Sequence, residues 1–180
     1  MDIWIEKCIT KPRKGRGSRL VIEHLNPQSV KMFADSLKKK NLNSFIVQEK
    51  IIGPEYTVQI ISDIDHKIKA IVPAKIKYKK GITISASTEK NYQISKICNQ
   101  IHKSHSTSGI YNVQLIINES GEPIPFEINT RISTTFCLAL NALKYDPIEM
   151  IYENKIYTDS FNFKTGIHLE RHWQNYFYKK

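Results

Sequence analysis

Two runs of strand-forming residues lie almost back to back near the middle of the chain. The first, Ile110-Tyr111-Asn112-Val113-Gln114-Leu115-Ile116-Ile117, is apolar except for Asn112 and Gln114. The second, Pro123-Ile124-Pro125-Phe126-Glu127-Ile128-Asn129, alternates apolar and polar side chains. Glu119-Ser120-Gly121-Glu122 separates them and carries a Ser-Gly turn signal, so the pair reads as a β-hairpin. In a strand, side chains two apart share a face. Ile124, Phe126 and Ile128 are therefore expected to point one way, and Glu127 and Asn129 the other, towards something polar. A two-residue turn at Ser120-Gly121 places Gln114 opposite Glu127, and Asn112 opposite Asn129. Three or four amide and carboxylate oxygens then share one small patch. A half-exposed hairpin with a wet polar face has the same spacing, but Gln114 inside a strongly apolar strand argues against it. Mg²⁺ prefers hard oxygen ligands and takes much of its shell from polyphosphate. Arg131 follows on the same face and suits a bidentate contact with a phosphate.

Two further stretches bear on this patch. Lys11-Pro12-Arg13-Lys14-Gly15-Arg16-Gly17-Ser18-Arg19 is basic and contains glycine. Glycines let backbone approach an anion, and successive N–H groups can form a nest for phosphate. The Gly-Lys-Ser/Thr ending of a Walker A loop is missing, and so is the Gly-x-Gly-x-x-Gly spacing of a dinucleotide-binding fingerprint. A basic arm touching nucleic acid is the other reading of such a stretch. The second stretch is Gln48-Glu49-Lys50-Ile51-Ile52-Gly53-Pro54-Glu55-Tyr56-Thr57-Val58. One strand (residues 45–49) leads through a Gly-Pro break into another (56–62). A carboxylate at such a bend can take ribose hydroxyls, although an ordinary loop with a solvated Glu has the same composition.

Taken in order, these motifs resemble the ATP-grasp superfamily, and most of all the ATP-binding domains of the carbamoyl-phosphate synthase large subunit and its short relatives. The matching runs are Lys11-Pro12-Arg13-x-Gly15-Arg16-Gly17-Ser18 and Gln48-Glu49-x-x-x-Gly53-x-Glu55-Tyr56-Thr57-Val58, then Val72-Pro73, Asn112-Val113-Gln114 and Phe126-Glu127-Ile128-Asn129-x-Arg131. The resemblance covers residues 11–151. The resemblance implies an α+β fold of two lobes with antiparallel sheets, between which ATP is grasped. It implies that Lys11 and Arg13 meet the ATP phosphates and that the loop of Gly15, Arg16, Gly17 and Ser18 closes over them. Glu49 and the backbone near Ile51 should face the adenine, and Glu55 the ribose. Gln114, Glu127 and Asn129 should ligate Mg²⁺, with Mn²⁺ as an alternative. Arg131 should touch the transferring phosphoryl group. Lys75 stands where relatives carry a basic residue after Val-Pro and is expected, with Arg131, to be catalytic. The implied chemistry is phosphorylation of a small carboxylate or carbamate by ATP and attack on the acyl-phosphate by an amine or similar nucleophile, with positioning and charge neutralisation supplied by the protein.

Departures qualify this. Relatives read Glu-Ile-Asn-Pro-Arg and then small residues. Here Thr130 replaces the proline, and Thr134-Thr135 bring β-branched bulk to the substrate side. A full enzyme of this type carries a preceding α/β domain and a first strand pair before the Lys-Pro position. The expectation is therefore a truncated ATP-grasp domain over residues 1–180, either active or a non-catalytic remnant, with a partner chain or a second copy supplying the rest. Within it, residues 11–45 are read as the remnant of the first lobe, 46–153 as the nucleotide and metal lobe, and 154–180 as a C-terminal extension.

No apolar run approaches the length of a membrane span, and the N-terminus lacks the apolar core of a signal peptide. Cys8, Cys98 and Cys137 are scattered, which suits a reducing cytoplasm with packing cysteines rather than a disulfide framework. The net charge of +10 is spread along the chain and is read as suiting an anionic substrate, with nucleic acid an unlikely partner. Asn26-Pro27 opens a helix with Val30, Phe33, Ala34 and Leu37 on one stripe. A strand is expected over 68–77, with Asp63 and Asp65 at a turn before it. Thr88 is expected to cap a second helix whose Ile94, Ile97, Cys98 and Ile101 face a core. Residues 136–143 read as a buried helix, and Asp146-Pro147 opens another through Tyr152. Arg171-His172-Trp173 is a weak match to an Arg-aromatic pair of relatives. His102 and His105 are read as surface residues of a helix.

Overall fold

Strands and short helices alternate through the computed structural model, which describes residues 7–15, 20–37, 39–152 and 163–179. The chain divides into two units, Met1–Ile51 and Ile52–Lys180. The division falls a little after the boundary read from sequence, because the strand Phe45–Glu49 pairs within the first unit.

In the first unit, β1 (Cys8–Pro12) lies between β2 (Ile22–His24) and β3 (Phe45–Glu49), antiparallel to both. Helix α1 (Pro27–Ser36) begins as the sequence predicts, with Asn26 Oδ1 accepting from Ser29 N at 2.9 Å and proline in the first turn. That cap satisfies a donor the helix cannot. Phe33 of α1 packs edge-on against Phe45 at 5.2 Å and against His24 at 5.6 Å. Buried Thr10 and His24 bond to each other at 2.9 Å.

The second unit is a six-stranded antiparallel sheet in the order β8-β7-β4-β5-β6-β9. Its strands are β4 (Glu55–Ser62), β5 (Ile68–Lys80), β6 (Ile82–Thr88), β7 (Gly109–Ile117), β8 (Pro123–Asn129) and β9 (His168–Glu170). Helix α2 (Tyr92–His105) covers one face, where Ile94 and Cys98 pack with Tyr56, Val58, Ile60, Ile71, Tyr111, Val113 and Leu115. Helices α3 (Phe136–Ala142) and α4 (Pro147–Tyr152) cover part of the other, where Ala139, Ala142, Met150 and Ile151 meet Ile61, Ala70 and Val72. The expectation of an α+β fold with antiparallel sheets therefore holds.

Two sequence expectations change. Helix α2 is capped by Asn91, whose side chain accepts from Ile94 N at 3.1 Å. Thr88 instead ends β6 and spends its hydroxyl on Lys164 O at 2.8 Å. His102 is buried rather than a surface residue, 5% exposed, because positions 94, 98 and 102 form one helix stripe. Its ring is bonded through Nδ1 to the Tyr111 hydroxyl at 2.8 Å and through Nε2 to His66 O at 2.7 Å. The second bond requires an N–H on Nε2, since a carbonyl oxygen only accepts. Asp63 does act at the β4–β5 turn, accepting from the amides of Asp65 and Lys67 and pairing with Lys69 at 2.9 Å.

Candidate functional site

The β7–β8 hairpin sets Gln114 opposite Glu127 and Asn112 opposite Asn129, as the sequence predicts. The route to that register differs. Next to the connection Ile117 pairs with Pro123, so residues 118–122 form the loop rather than a two-residue Ser120-Gly121 turn. Asn118 closes it, its N–H donating to Glu122 O and its Oδ1 accepting from Glu122 N. A bulge then intervenes: Leu115 faces Pro125 while Gln114 faces Glu127, which leaves Phe126 as the extra residue. One inserted residue reverses the face of everything beyond it. Ile124, paired with Ile116, therefore shares a face with Gln114 and Glu127 instead of opposing Glu127.

Pairing across the sheet extends this face. Thr57 lies opposite Gln114 and Gln59 opposite Asn112, while Ala74 and Val72 follow on β5. This is the side on which Val72 and Ala74 meet α3. Towards the β8 edge it is polar: Thr57, Gln59, Asn112, Gln114, Glu127 and Asn129. Glu127 is exposed, Gln114 and Asn129 half-buried, and Gln59 and Asn112 buried.

The segment after β8 is tied down by side chains. Asn112 Nδ2 donates to Arg131 O at 2.8 Å, and Asn112 Oδ1 accepts from Asn129 Nδ2 at 3.4 Å. Gln59 Nε2 donates to the hydroxyls of Ser133 and Thr135, the latter at 3.1 Å. Those two hydroxyls bond to each other at 2.7 Å. Among the described residues, Gln59 Oε1 is buried without a partner. Beyond β9, Arg171 donates to Thr134 O through Nη2 and to Thr83 O through Nε at 3.0 Å. The Arg131 guanidinium is exposed, with one contact at 3.3 Å to Ile132 O.

The other sequence-predicted residues are distributed as follows. Glu55 alternates onto the same face as Thr57 and Gln59, and its Oε1 accepts from Lys79 Nζ at 2.6 Å. It is placed by Gly53-Pro54: Ile117 N donates to Pro54 O at 3.0 Å, and the Cα of Gly53 passes so close to β7 that no side chain fits. Lys75 is not brought to this face. It pairs in register with Tyr56, on the α2 side, and lies 3.5 Å from Glu89, which also accepts from the Tyr56 hydroxyl at 2.9 Å. Burial, with Glu89 adding to it, pushes the Tyr56 hydroxyl well above its ordinary range. Lys11 is half-buried in β1, opposite Ile46. Arg13 and Gly15 are exposed, and the Arg13 amide donates to Ser44 O. Glu49 is exposed at the end of β3, and Ile51 half-buried just beyond it. Arg16, Gly17 and Ser18 lie outside the described residues. Sequence reasoning missed Gln59 and Ser133, and read Thr135 only as β-branched bulk on the substrate side. For Gln59 the signal was present: a polar residue inside an apolar strand, in phase with Glu55 and Thr57.

A family model described as ATP-grasp domain matches residues 2–135. No curated protein matches the chain in sequence. Solved structures do match in fold. The biotin carboxylase of Campylobacter jejuni, solved with β-γ-ATP, is 14% identical over 89% of this chain and 40% of its own, with a TM-score of 0.69. The biotin carboxylase domain of the 2-oxoglutarate carboxylase of Hydrogenobacter thermophilus was solved with MgADP, ADP and bicarbonate. It is 12% identical over 87% of this chain and 39% of its own, with a TM-score of 0.67. The L-amino acid ligase of Bacillus licheniformis is 13% identical over 84% of this chain and 39% of its own, with a TM-score of 0.61. The chain thus spans about two fifths of the length of these neighbours.

Proposed function

The chain belongs to the ATP-grasp domain family, and from that premise we propose that it binds ATP with Mg²⁺ and uses it to activate a carboxylate or carbamate for ligation to an amine. Carbamoyl-phosphate synthase chemistry and carboxylate–amine ligation are the two forms of that reaction the motifs suit. The observation that carries the reading is the paired register of Gln114 with Glu127 and of Asn112 with Asn129 on one sheet face, followed at once by an exposed Arg131. One carboxylate and two amide oxygens are hard ligands and too few to fill an octahedral shell. Among the described residues, no group of three His, Cys, Asp or Glu could hold a metal. Such a partial set suits a cation that arrives with polyphosphate oxygens already on it. The neighbours named as carboxylases and ligases, one solved with MgADP, support the same reading.

In this proposal Gln114, Glu127 and Asn129 hold the cation, with Mn²⁺ able to replace Mg²⁺, and the bound ion offsets charge on the phosphates. Arg131 holds the transferred phosphoryl group by a charge-assisted contact. Glu55 takes the ribose hydroxyls, which requires it to exchange its bond to Lys79. Lys11, Arg13 and the Gly15 loop take phosphate, and Glu49 and Ile51 the adenine side. Lys75 is left out of the catalytic group by its place on the α2 face. Among the described residues no helix is long and apolar enough to cross a membrane, and the cytoplasm is the compartment we propose.

Calorimetric titration with a non-hydrolysable ATP analogue, with and without Mg²⁺, tests this. Metal-dependent binding that Glu127→Ala abolishes in a folded sample is the expected result. A folded chain that binds no nucleotide under either condition would overturn it and leave the alternative, a non-catalytic module completed by a partner chain.

A further inference from the structure

We propose that Asn112 is a positioning residue: it selects which end of the Asn129 carboxamide faces the cation and fixes the start of the segment that carries Arg131. The proposal rests on the metal–nucleotide reading of this face.

Asn112 is completely buried in the middle of β7, between Gln59 on β4 and Asn129 on β8. A buried carboxamide is costly unless its donors and acceptor are used. Here both ends are used on the segment that carries the site. Its Oδ1 accepts from Asn129 Nδ2 at 3.4 Å. An asparagine side chain presents either an oxygen or an NH₂ group, and the two ends exchange by rotation about one bond. A hard cation accepts only the oxygen. Holding the nitrogen of Asn129 against Asn112 therefore turns the Asn129 oxygen away from Asn112, as the free end.

The other end acts on the backbone. Strand β8 stops at Asn129, and beyond it the chain leaves the ladder. Asn112 Nδ2 donates to Arg131 O at 2.8 Å, with a longer approach of 3.5 Å to Asn129 O. The side chain thus stands in for the ladder partner that Arg131 lacks. One buried residue, touching neither metal nor nucleotide, fixes both a ligand atom and the root of the phosphate-binding arginine. Partners standing behind metal ligands commonly alter metal affinity by about 10–100-fold when removed.

Two measurements test this on the full chain. The first compares the Mg²⁺ concentration at which half of the ATP analogue binds in the parent and in Asn112→Ala, both below their melting temperatures. The midpoint is expected to rise about tenfold. A purely structural role would lower the melting temperature without moving that midpoint, and an unmoved midpoint overturns the proposal while leaving the metal reading intact. The second needs neither variant folding nor nucleotide. In the ¹⁵N-asparagine-labelled parent, the side-chain NH₂ protons of Asn112 are expected to exchange slowly with solvent. Those of Asn129 should show a nuclear Overhauser contact to the Asn112 side chain. Asn129 amide protons that show no contact to Asn112 would overturn the orienting role. If the parent shows no metal-dependent nucleotide binding, the functional reading fails, and this second measurement alone decides whether Asn112 holds Asn129.

Discussion

Gly53→Ala should damage both the fold and the proposed nucleotide site, and the size of the effect can be worked from the geometry. A Cβ built on Gly53 falls 1.8 Å from Ile117 O, 3.0 Å from its carbonyl carbon and 3.3 Å from Ile116 Cγ2. Carbon and oxygen approach no closer than about 3.3 Å even in favourable contacts, so the two segments must separate by well over an ångström. That separation breaks the 3.0 Å bond from Ile117 N to Pro54 O, at a cost of about 1 kcal/mol. The φ of 153° at Gly53 is a region that other residues rarely occupy and adds roughly 1–3 kcal/mol. Together these give about 2–4 kcal/mol, or a melting temperature lower by roughly 5–15 °C for a chain of this size. Glu55, two residues on, shifts with the segment, so affinity for the ATP analogue should also fall. The control is Gly81→Ala. Its φ is 71°, but nothing lies within 4 Å of the added carbon, so only the backbone penalty applies. Thermal melts followed by circular dichroism, with calorimetry of the analogue, read both effects. If Gly53→Ala melts no lower than Gly81→Ala and binds the analogue as the parent does, the close approach to β7 is not what places Glu55.

Glu55→Ala should weaken the analogue without shifting the Mg²⁺ midpoint, and should cost under about 1 kcal/mol of stability, because its pair with Lys79 is partly solvated; calorimetry and a chemical denaturation curve check both. Gln59→Leu should cost less than about 1 kcal/mol, since it removes a buried unpaired carbonyl along with the bonds to Ser133 and Thr135. A loss above about 3 kcal/mol would show instead that a buried water satisfies Oε1. Burial opposes ionisation of Asp63, but the Lys67 and Asp65 amides and the Lys69 ammonium outweigh it and hold its carboxyl below the ordinary value. Such a group contributes stability above the unfolded value, about 3.9, and loses it as the pH falls through the lower folded one. Urea unfolding from pH 7 down to 3 should therefore show a steeper acid loss in the parent than in Asp63→Asn.

Polar residues standing in apolar strands were legible: spacing set Gln114 opposite Glu127 and Asn112 opposite Asn129, although the two-residue turn it assumed is replaced by a five-residue loop and a bulge at Phe126 that together restore that register. The Asn-Pro start of α1 was equally plain, because capping chemistry is local. What escaped depends on partners distant in sequence. Which face Lys75 takes follows from the β4–β5 register, not from its own neighbours. The role of Gln59 appears only once Ser133 and Thr135 fold over it. β6 (Ile-Thr-Ile-Ser-Ala-Ser-Thr) has small, hydroxyl-rich residues and shows little of a strand's apolar signature, although pairing with β5 and β9 makes it one. Thr88 and Asn91 are both capping residue types, and tertiary bonds to Lys164 and Ile167 decided which became the cap. His102 was legible in principle, four residues after Cys98 on a stripe that was otherwise read correctly.

The extra residue at Phe126 separates two jobs that a plain hairpin would couple. In a regular hairpin, lengthening the turn by one residue turns every side chain beyond it to the other face. Here an unpaired position already sits between the turn and Glu127, and it can be gained or lost to absorb such a change. The 118–122 connection is therefore the place where this domain can vary in length, or accept a grafted loop, while Gln114 and Glu127 keep facing each other.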